Sequence, residues 1–492
     1  MSGGSESRPR GSGRPLEAWR RWVAADRPVD PHLVFAALTD FRWHVFDGPA
    51  DWLPFLIETR EGAPGLMAAA RARWPRGDLP VRIAPVYFEA LHDGGRPSRF
   101  LTAMVRRDRV QAVLDLAPVV RAQLGLARAS APPAPRRGAV AMAAEPLTTP
   151  DGPARTAGPR RHQGPVIAIM DDACPFDHPA MRTPAGHRLL ALWQQDPRSV
   201  HAPPPGFHQR RLIERGADGW MPDLGPHPSL RERARHAALP HHGVASWQLA
   251  AGAVDAGQQA HPGPDARDAA ARAELLAVQW PDSLLADTSC ASLGVHALDG
   301  LRFVHRFIRR RSADRDIVVS LGYGTQSGPH DGQAPLDAAI TEIAAADRHL
   351  HIVVAAGNSH RLACHARTRL TPGHRPPLEL FVAPQGPAWV SVEIGFPDAP
   401  PDAPLSLTLR APTGETLTVP RGDLGGLRSR GRGEPVAWLV FPRRSASGAG
   451  GAMALLVVLT SRSPAGGAAA PCGVWRIEAT GTRQPAASIS SS

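Results

Sequence analysis

The sequence predicts an α/β protein with a doubly wound, mostly parallel sheet, a small α+β unit before it and an all-β domain after it. The central prediction rests on short apolar runs that alternate with helical patterns over residues 164–370. The all-β prediction rests on seven short strand-like runs over residues 371–482, which suggest a β-sandwich or jelly roll. The chain has 492 residues, which is enough for two or three domains.

The segments outside these two regions differ in composition. Residues 1–28 are polar and predict a disordered lead, and residues 29–128 carry mixed helical and strand patterns that predict a small α+β unit. Residues 129–163 are rich in Pro, Ala and Arg and predict a linker, while residues 483–492 form a Ser-rich tail. The patterns of the α+β unit are Pro31–Leu38, Val81–Phe88, Phe100–Val105, Arg109–Leu116 and Val119–Leu124.

The central region alternates strands with helices. A Pro-, Arg- and His-rich stretch at about 200–238 interrupts it and predicts a surface insertion. The strand predictions are Ile167–Met170, Leu275–Trp280, Ile317–Leu321 and His351–Ala356, and the main helices are Leu293–Ile308 and Leu336–Asp347. In the all-β region the strand predictions are Leu378–Val382, Trp389–Ile394, Leu405–Leu409, Thr416–Val419, Ala437–Phe441, Met453–Leu459 and Val474–Ala479.

Composition excludes several classes of function. The net charge is +11, but every basic residue is Arg, which indicates a compositional bias, so we expect no nucleic-acid partner. The four cysteines lack CxxC spacing, which argues against a zinc ribbon or a disulfide scaffold. The N-terminus has no secretory h-region and no apolar run reaches 18 residues, so we expect a cytoplasmic protein without a membrane span.

A carboxylate follows the first buried strand of the central region. The apolar run Val166–Met170 ends in Asp171, and His178 and Pro179 follow seven and eight places later. In open α/β sheets the carboxyl ends of the strands are where ligands bind and chemistry is placed. Asp171 is therefore a candidate site residue; the alternative is an aspartate that ends a strand without a catalytic task.

A histidine opens a helical pattern of small and apolar residues. In Pro240-His-His-Gly-Val-Ala-Ser-Trp the pair His242-Gly243 begins this helix. A surface or metal cluster of His236, His241 and His242 is the alternative, but no carboxylate with ligand spacing accompanies it, so we expect neither a metal nor another cofactor.

Two further strands end in polar or glycine-rich turns. The strand Ile352-Val-Val-Ala-Ala leads into Gly357 and Asn358, and Ile317-Val-Val leads into Ser-Leu-Gly at 320–322.

Taken in order, these motifs resemble those of the subtilases, the subtilisin-like serine peptidases. The resemblance covers about 164–364, with Val244, Ser246 and Trp247 departing from the usual histidine motif. It implies hydrolysis of peptide bonds in extended substrates, with Asp171 orienting His242, the general base, and Asn358 donating to the oxyanion. It further implies that Ser320, Leu321 and Gly322 bind substrate by β-augmentation, and that Gly357 lets the backbone turn close to it. The α+β unit would then be prodomain-like; a plain accessory domain is the equal alternative.

The nucleophile of this family is absent. No Gly-Thr-Ser-x-Ala-x-Pro sequence follows Asn358; the nearest fragments carry Ala452 or Arg483 at the serine position. The chain is therefore inactive as written if the resemblance holds. Three explanations stand: a truncated gene product, which we favour; a pseudopeptidase that binds extended peptides; or a partner chain that supplies the serine segment. Each predicts apolar surface exposed where the missing helix would pack.

Overall fold

The computed structural model describes the chain in segments. These are residues 14–46, 50–92, 95–128, 164–174, 181–183, 186–195, 211–215, 242–250, 270, 273–287, 291–369, 377–384, 389–397, 399–400, 402–428, 435–447, 452–460, 469–481 and 486–491. The predicted linker at 129–163, most of the insertion at 200–238, and His178 with Pro179 therefore lie outside the described residues.

The N-terminal unit is a four-stranded antiparallel sheet with helices around it. The strand order is β3-β4-β2-β5. Asp30 starts α2 by accepting the backbone N–H of His32 at 2.9 Å, and Pro31 fits the first helical turn. The elements are α1 (Arg14–Ala24), β1 (Pro28–Val29), α2 (Pro31–Leu38), β2 (Trp52–Thr59), α3 (Gly62–Arg73), β3 (Val81–Ile83), a 3₁₀ turn (Pro85–Phe88), β4 (Phe100–Arg106), a second 3₁₀ turn (Arg107–Arg109), α4 (Val110–Leu114) and β5 (Val119–Leu124).

Two predictions for this unit are wrong. The disordered lead contains α1, because its apolar side chains, among them Trp22 and Val23, are buried in the core; the Gly/Ser-rich start of the chain concealed that pattern. The single strand predicted over Val81–Phe88 ends at Ile83, and a 3₁₀ turn follows at Pro85, which cannot donate to a strand ladder.

The central region forms a six-stranded sheet in the order β10-β9-β11-β6-β12-β13. All neighbours are parallel except β10, which is antiparallel to β9. Every residue of β6 is buried, as expected for a central parallel strand covered on both faces. The elements are β6 (Val166–Asp171), β7 (Arg182–Thr183), β8 (Gly186–His187), β9 (Leu189–Gln194), β10 (Arg211–Glu214), α5 (His242–Ala250), β11 (Glu274–Gln279), α6 (Asp282–Ala286), α7 (Leu293–Arg309), β12 (Ile317–Leu321), α8 (Pro335–Ala346) and β13 (Leu350–Val354).

Helices cover the two faces of this sheet. The core on one face contains side chains of α7 and α8 and extends into the N-terminal unit. On the other face Trp247 of α5 packs with Ile167 and Ile169 of β6. The two helices predicted between the strands, Leu293–Ile308 and Leu336–Asp347, are confirmed within one residue at each end.

Two antiparallel sheets follow and enclose a common core. Their orders are β14-β24-β16-β22-β20-β19 and β15-β23-β17-β18. The strands of this region are β14 (His365–Arg369), β15 (Leu378–Val382), β16 (Trp389–Phe396), β17 (Leu405–Arg410), β18 (Thr416–Pro420), β19 (Asp423–Arg428), β20 (Pro435–Phe441), β21 (Arg444–Ser445), β22 (Ala452–Leu459), β23 (Gly473–Gly481) and β24 (Ala486–Ser491), of which β21 pairs with β1 outside these two sheets.

The seven predicted strands of this region are present, and four more were missed. The predicted Ser-rich tail is wrong for residues 486–491, because β24 fills the place between β14 and β16 and pairs with both. A Ser-rich composition gives no signal for such pairing. The sheet also takes in β14, which precedes the predicted start of the β domain at residue 371.

The N-terminal unit is fastened to both of its neighbours. The Tyr87 hydroxyl donates to Asp299 of α7 at 2.6 Å, and Arg302 of α7 donates to the carbonyl of Val86 at 2.8 Å. On its other side β1 pairs in parallel with β21, and His32 bonds to the buried Glu393 of β16 at 2.6 Å. The N-terminal unit therefore contacts both the central region and the β domain.

Candidate active site

Asp171 is the last residue of the central strand β6. Its side chain is 1% exposed, and its backbone carbonyl accepts the N–H of Trp280 at 2.9 Å. The N–H of Asp172 donates to its Oδ1 at 2.8 Å. Burial raises the pKa of Asp171, against the hydrogen bonds that favour the ionised form. The carboxylate is therefore held at the carboxyl edge of the sheet with its acceptor sites directed to fixed partners.

His242 is the first residue of α5 and contacts this carboxylate. Its Nδ1 lies 3.0 Å from both Oδ1 and Oδ2 of Asp171. The imidazole side chain is 60% exposed, in contrast to its partner. The hydrogen bond to Asp171 raises the pKa of His242, because the carboxylate stabilises the imidazolium. With Nδ1 occupied, Nε2 is the nitrogen left to take up or release a proton.

Asp172 fixes the start of α5, a role that the sequence reasoning missed. Its Oδ1 accepts the backbone N–H of Gly243 at 2.7 Å, which satisfies one of the unpaired donors of the first helical turn. A Cβ on Gly243 would lie 2.5 Å from the carbonyl oxygen of Ala173, so only glycine fits there. The two adjacent carboxylates thus have different partners: Asp171 bonds to the imidazole of His242, and Asp172 bonds to the first turn of the helix that carries it.

Gly322 closes the other side of the carboxylate. A Cβ at this position would lie 2.2 Å from Oδ2 of Asp171, and the Gly322 N–H donates to the carbonyl of Met170 at 3.1 Å. Ser320 and Leu321 lie within β12, paired with β6 on one side and β13 on the other. Strands therefore lie on both sides of Ser320 and Leu321, and the first backbone groups of this segment that could pair with an extended peptide come after Leu321.

Asn358 and Gly357 follow β13 and are exposed. Gly357 has φ +81°, which favours glycine, and a Cβ there would lie 2.5 Å from Nε2 of Gln326. Because β12 separates β6 from β13, the two strands lie roughly 10 Å apart. The structure thus brings His242 and Gly322 each against Asp171, and places Asn358 two strands away at the same edge of the sheet.

Apolar side chains are exposed beside Asn358. Val353 and Val354 of β13 are 58% and 52% exposed, and Leu362 is 70% exposed. In the part of the chain that the structure describes, β13 is the last strand of its sheet on this side. The sequence predicts such a surface where a helix is missing, and the end of β13 carries one; Leu249 of α5 and Phe381 of β15 are also exposed.

The fragments that resemble a serine motif lie elsewhere. Ala452 begins β22 inside the β domain, and Arg483 lies outside the described residues. Ser445 and Ser447 are buried at and just after β21. Across the described segments, no group of three or more His, Cys, Asp or Glu side chains is arranged to hold a metal ion. Among the helices that the structure describes, none has both the length and the apolar character needed to cross a membrane.

Comparison with known proteins finds similarity among solved structures. No family model matches the sequence, and no curated protein matches it. Among solved structures, the chain is similar to the CspB protease of Clostridium perfringens, with 17% identity and a TM-score of 0.46. The match covers 67% of this chain and 61% of that one, so the chain spans about three fifths of the protease chain. At this identity, the chemistry has to be derived from the residues themselves.

Proposed function

We propose that Asp171 and His242 are the orienting acid and the general base of a subtilisin-like serine-type endopeptidase site. The observation that carries the proposal is the contact of Nδ1 of His242 with both oxygens of the buried Asp171 carboxylate. A carboxylate in this position selects the tautomer with the proton on Nδ1 and stabilises the imidazolium that forms during catalysis. Nε2 is then the base that takes the proton of a hydroxyl nucleophile.

Asn358 is the proposed oxyanion donor. It is exposed, follows a strand of the same sheet and lies at the same edge as the acid. An amide in that position would donate to the oxyanion of a tetrahedral intermediate, and loss of one such donor costs about 10²–10³ in rate. Because the hydrogen bond to Asp171 raises the pKa of His242, the rate of a complete site falls as the pH is lowered through this raised pKa, which protonates the base.

The nucleophile is the part that this sequence does not contain. No Gly-Thr-Ser-x-Ala-x-Pro motif occurs after Asn358, so we propose that residues 1–492 do not form an acyl-enzyme. Val353 and Val354 of β13 are exposed, as each of the three explanations for the absent serine segment predicts.

A second candidate function is a pseudopeptidase that binds extended peptides. Among the described strands none pairs with the outer side of β13, and this edge supports the alternative, since an exposed strand edge offers unpaired backbone groups to an added strand. In that case His242 has no proton to transfer. Substitution of His242 by glutamine would then leave peptide affinity unchanged.

A fluorophosphonate probe, which labels an activated serine, distinguishes these functions. We expect no specific labelling of the 492-residue chain, and labelling of a product read past codon 492 in the frame that encodes the serine motif. In that product His242→Gln should abolish labelling, while Thr341→Ala, on the exposed face of α8, should not. Specific labelling of the 492-residue chain would refute the missing nucleophile. If no downstream frame encodes the motif and the chain binds extended peptides, the peptide-binding function replaces the peptidase.

A further inference from the structure

One hydroxyl close to the Asp171–His242 pair has no assigned task. Ser246 lies one helical turn after His242 on α5, and residues four apart share a face of a helix. Its Oγ is 3.5 Å from Nδ1 of His242, and its side chain is partly buried. The hydroxyl therefore sits on the side of the imidazole that faces the carboxylate.

The tautomer decides which way this hydroxyl donates. Nδ1 lies 3.0 Å from both oxygens of Asp171, so its proton is directed to the carboxylate and Nδ1 cannot accept another. The Ser246 proton is left with the Asp171 carboxylate, the other acceptor of this pair, and Ser246 favours the ionised form of that carboxylate by lowering its pKa. For the same reason Ser246 is not a nucleophile, since a general base would have to work through Nε2.

We propose that Ser246 is a positioning residue: its hydroxyl donates a hydrogen bond to the Asp171 carboxylate and holds that carboxylate in line with Nδ1 of His242. Three donors then hold the carboxylate, namely the N–H of Asp172, Nδ1–H of His242 and Oγ–H of Ser246. The absent side chain of Gly322 lets Oδ2 lie against the backbone of the loop after β12. The role rests on the proposed function, because a positioned carboxylate matters only where His242 acts as a base.

A serine within a helix ordinarily bonds to the carbonyl four residues earlier, so the alternative is a merely structural hydroxyl. The two roles differ in one measurable quantity. A donor to a carboxylate stabilises its ionised form and lowers its pKa, whereas a hydroxyl bonded to the helix backbone leaves that pKa where it is. The titration of Asp171 therefore distinguishes them without any need for peptidase activity.

The experiment is a ¹³C NMR titration of the Asp171 carboxyl, assigned by its loss in Asp171→Asn. We expect Ser246→Ala to shift the apparent pKa of Asp171 upward, and Ser246→Thr, which keeps the hydroxyl, to leave it at the wild-type value. Thr341→Ala is the matched control, because it removes a helical hydroxyl that bonds to the Asp337 carbonyl at 2.8 Å. An unchanged pKa in Ser246→Ala, or an equal shift in Thr341→Ala, would overturn the proposal.

Folding and function are separated by the same set of variants. If Ser246→Ala does not fold, Ser246→Cys replaces the hydroxyl by a weaker donor and should give an intermediate upward shift; no shift overturns the proposal. If the proposed peptidase function is wrong, no product read past codon 492 reacts with the fluorophosphonate probe. The titration of Asp171 in the Ser246 variants would still give the expected shifts, so the two failures are distinguishable.

Discussion

Substitution of Gly322 by alanine tests the packing that holds the Asp171 carboxylate. The added Cβ would lie 2.2 Å from Oδ2 and 2.9 Å from Cγ of Asp171. An ordinary contact begins at 3.4 Å, so the carboxylate or β12 has to move by about 1 Å. Both 3.0 Å contacts with Nδ1 of His242 depend on the present position. Backbone strain does not enter, because Gly322 is not among the residues with positive φ.

We expect two consequences of Gly322→Ala. Overpacking of a buried site costs about 1–3 kcal/mol of the free energy of unfolding. The pKa of His242 also falls toward 6.5, because the displaced carboxylate no longer stabilises the imidazolium. Urea denaturation measures the first quantity. A ¹H–¹³C NMR titration measures the second, with the His242 resonance assigned by its loss in His242→Gln.

Gly77→Ala is the matched control for this experiment. A Cβ at Gly77 has nothing within 4 Å, so the same chemical change there leaves both the His242 pKa and the core untouched. Because alanine reduces the conformational entropy of the unfolded chain, Gly77→Ala should raise the free energy of unfolding by about 0.4–1 kcal/mol at most. If Gly322→Ala titrates like the wild type at His242 and unfolds like Gly77→Ala, the contact between Gly322 and Asp171 does not position the carboxylate.

Three further predictions concern the support of the site. Asp172→Ala removes the acceptor for the Gly243 N–H, so the stability of α5 should fall by about 1 kcal/mol and its amide protons should exchange faster with solvent, as measured by hydrogen exchange. Unchanged exchange would contradict the capping role. After proteolytic cleavage within 129–163, the N-terminal unit should stay bound to the rest of the protein, because the Tyr87–Asp299 hydrogen bond and the β1–β21 pairing persist. Separate elution of the two fragments in native size-exclusion chromatography would contradict this. Burial lowers the pKa of His305 from 6.5 to about 4, so the unfolded state binds a proton at this histidine first as the pH falls, and the free energy of unfolding decreases by up to about 3 kcal/mol between pH 6.5 and pH 4. Denaturation measured across this pH range should show a smaller decrease in His305→Gln. An equally steep decrease in that variant would contradict the prediction.

Parts of this architecture follow from local sequence. The run Val166–Met170 is apolar throughout because both faces of β6 are covered, and such a run is visible without a structure. His242-Gly243 at the start of a helix and the Asp171 strand end are likewise local patterns. Their meeting at 3.0 Å is a consequence of the parallel sheet, which places strand ends and helix starts at one edge.

Other parts depend on contacts that no local pattern reports. The strand β24 is polar in sequence and exists because β14 and β16 leave a place for it. The helix α1 is set by burial of Trp22 against residues far along the chain, including Asp115, to which its indole donates at 3.2 Å. The contacts of Asp172 and Ser246 likewise depend on the packing of α5 against the end of β6, so local sequence could not predict them.

The tautomer of neutral His242 decides whether Asp171 and His242 form an orienting acid and a general base. In such a pair the proton is on Nδ1, where Asp171 accepts it, and Nε2 is the free base. The ¹⁵N chemical shifts of the His242 ring, measured above its pKa, report which nitrogen is protonated. We expect a protonated Nδ1 and an unprotonated Nε2 in the wild type, with this preference lost in Asp171→Asn. A protonated Nε2 in the wild type would contradict the assignment of Asp171 and His242 as an orienting acid and general base.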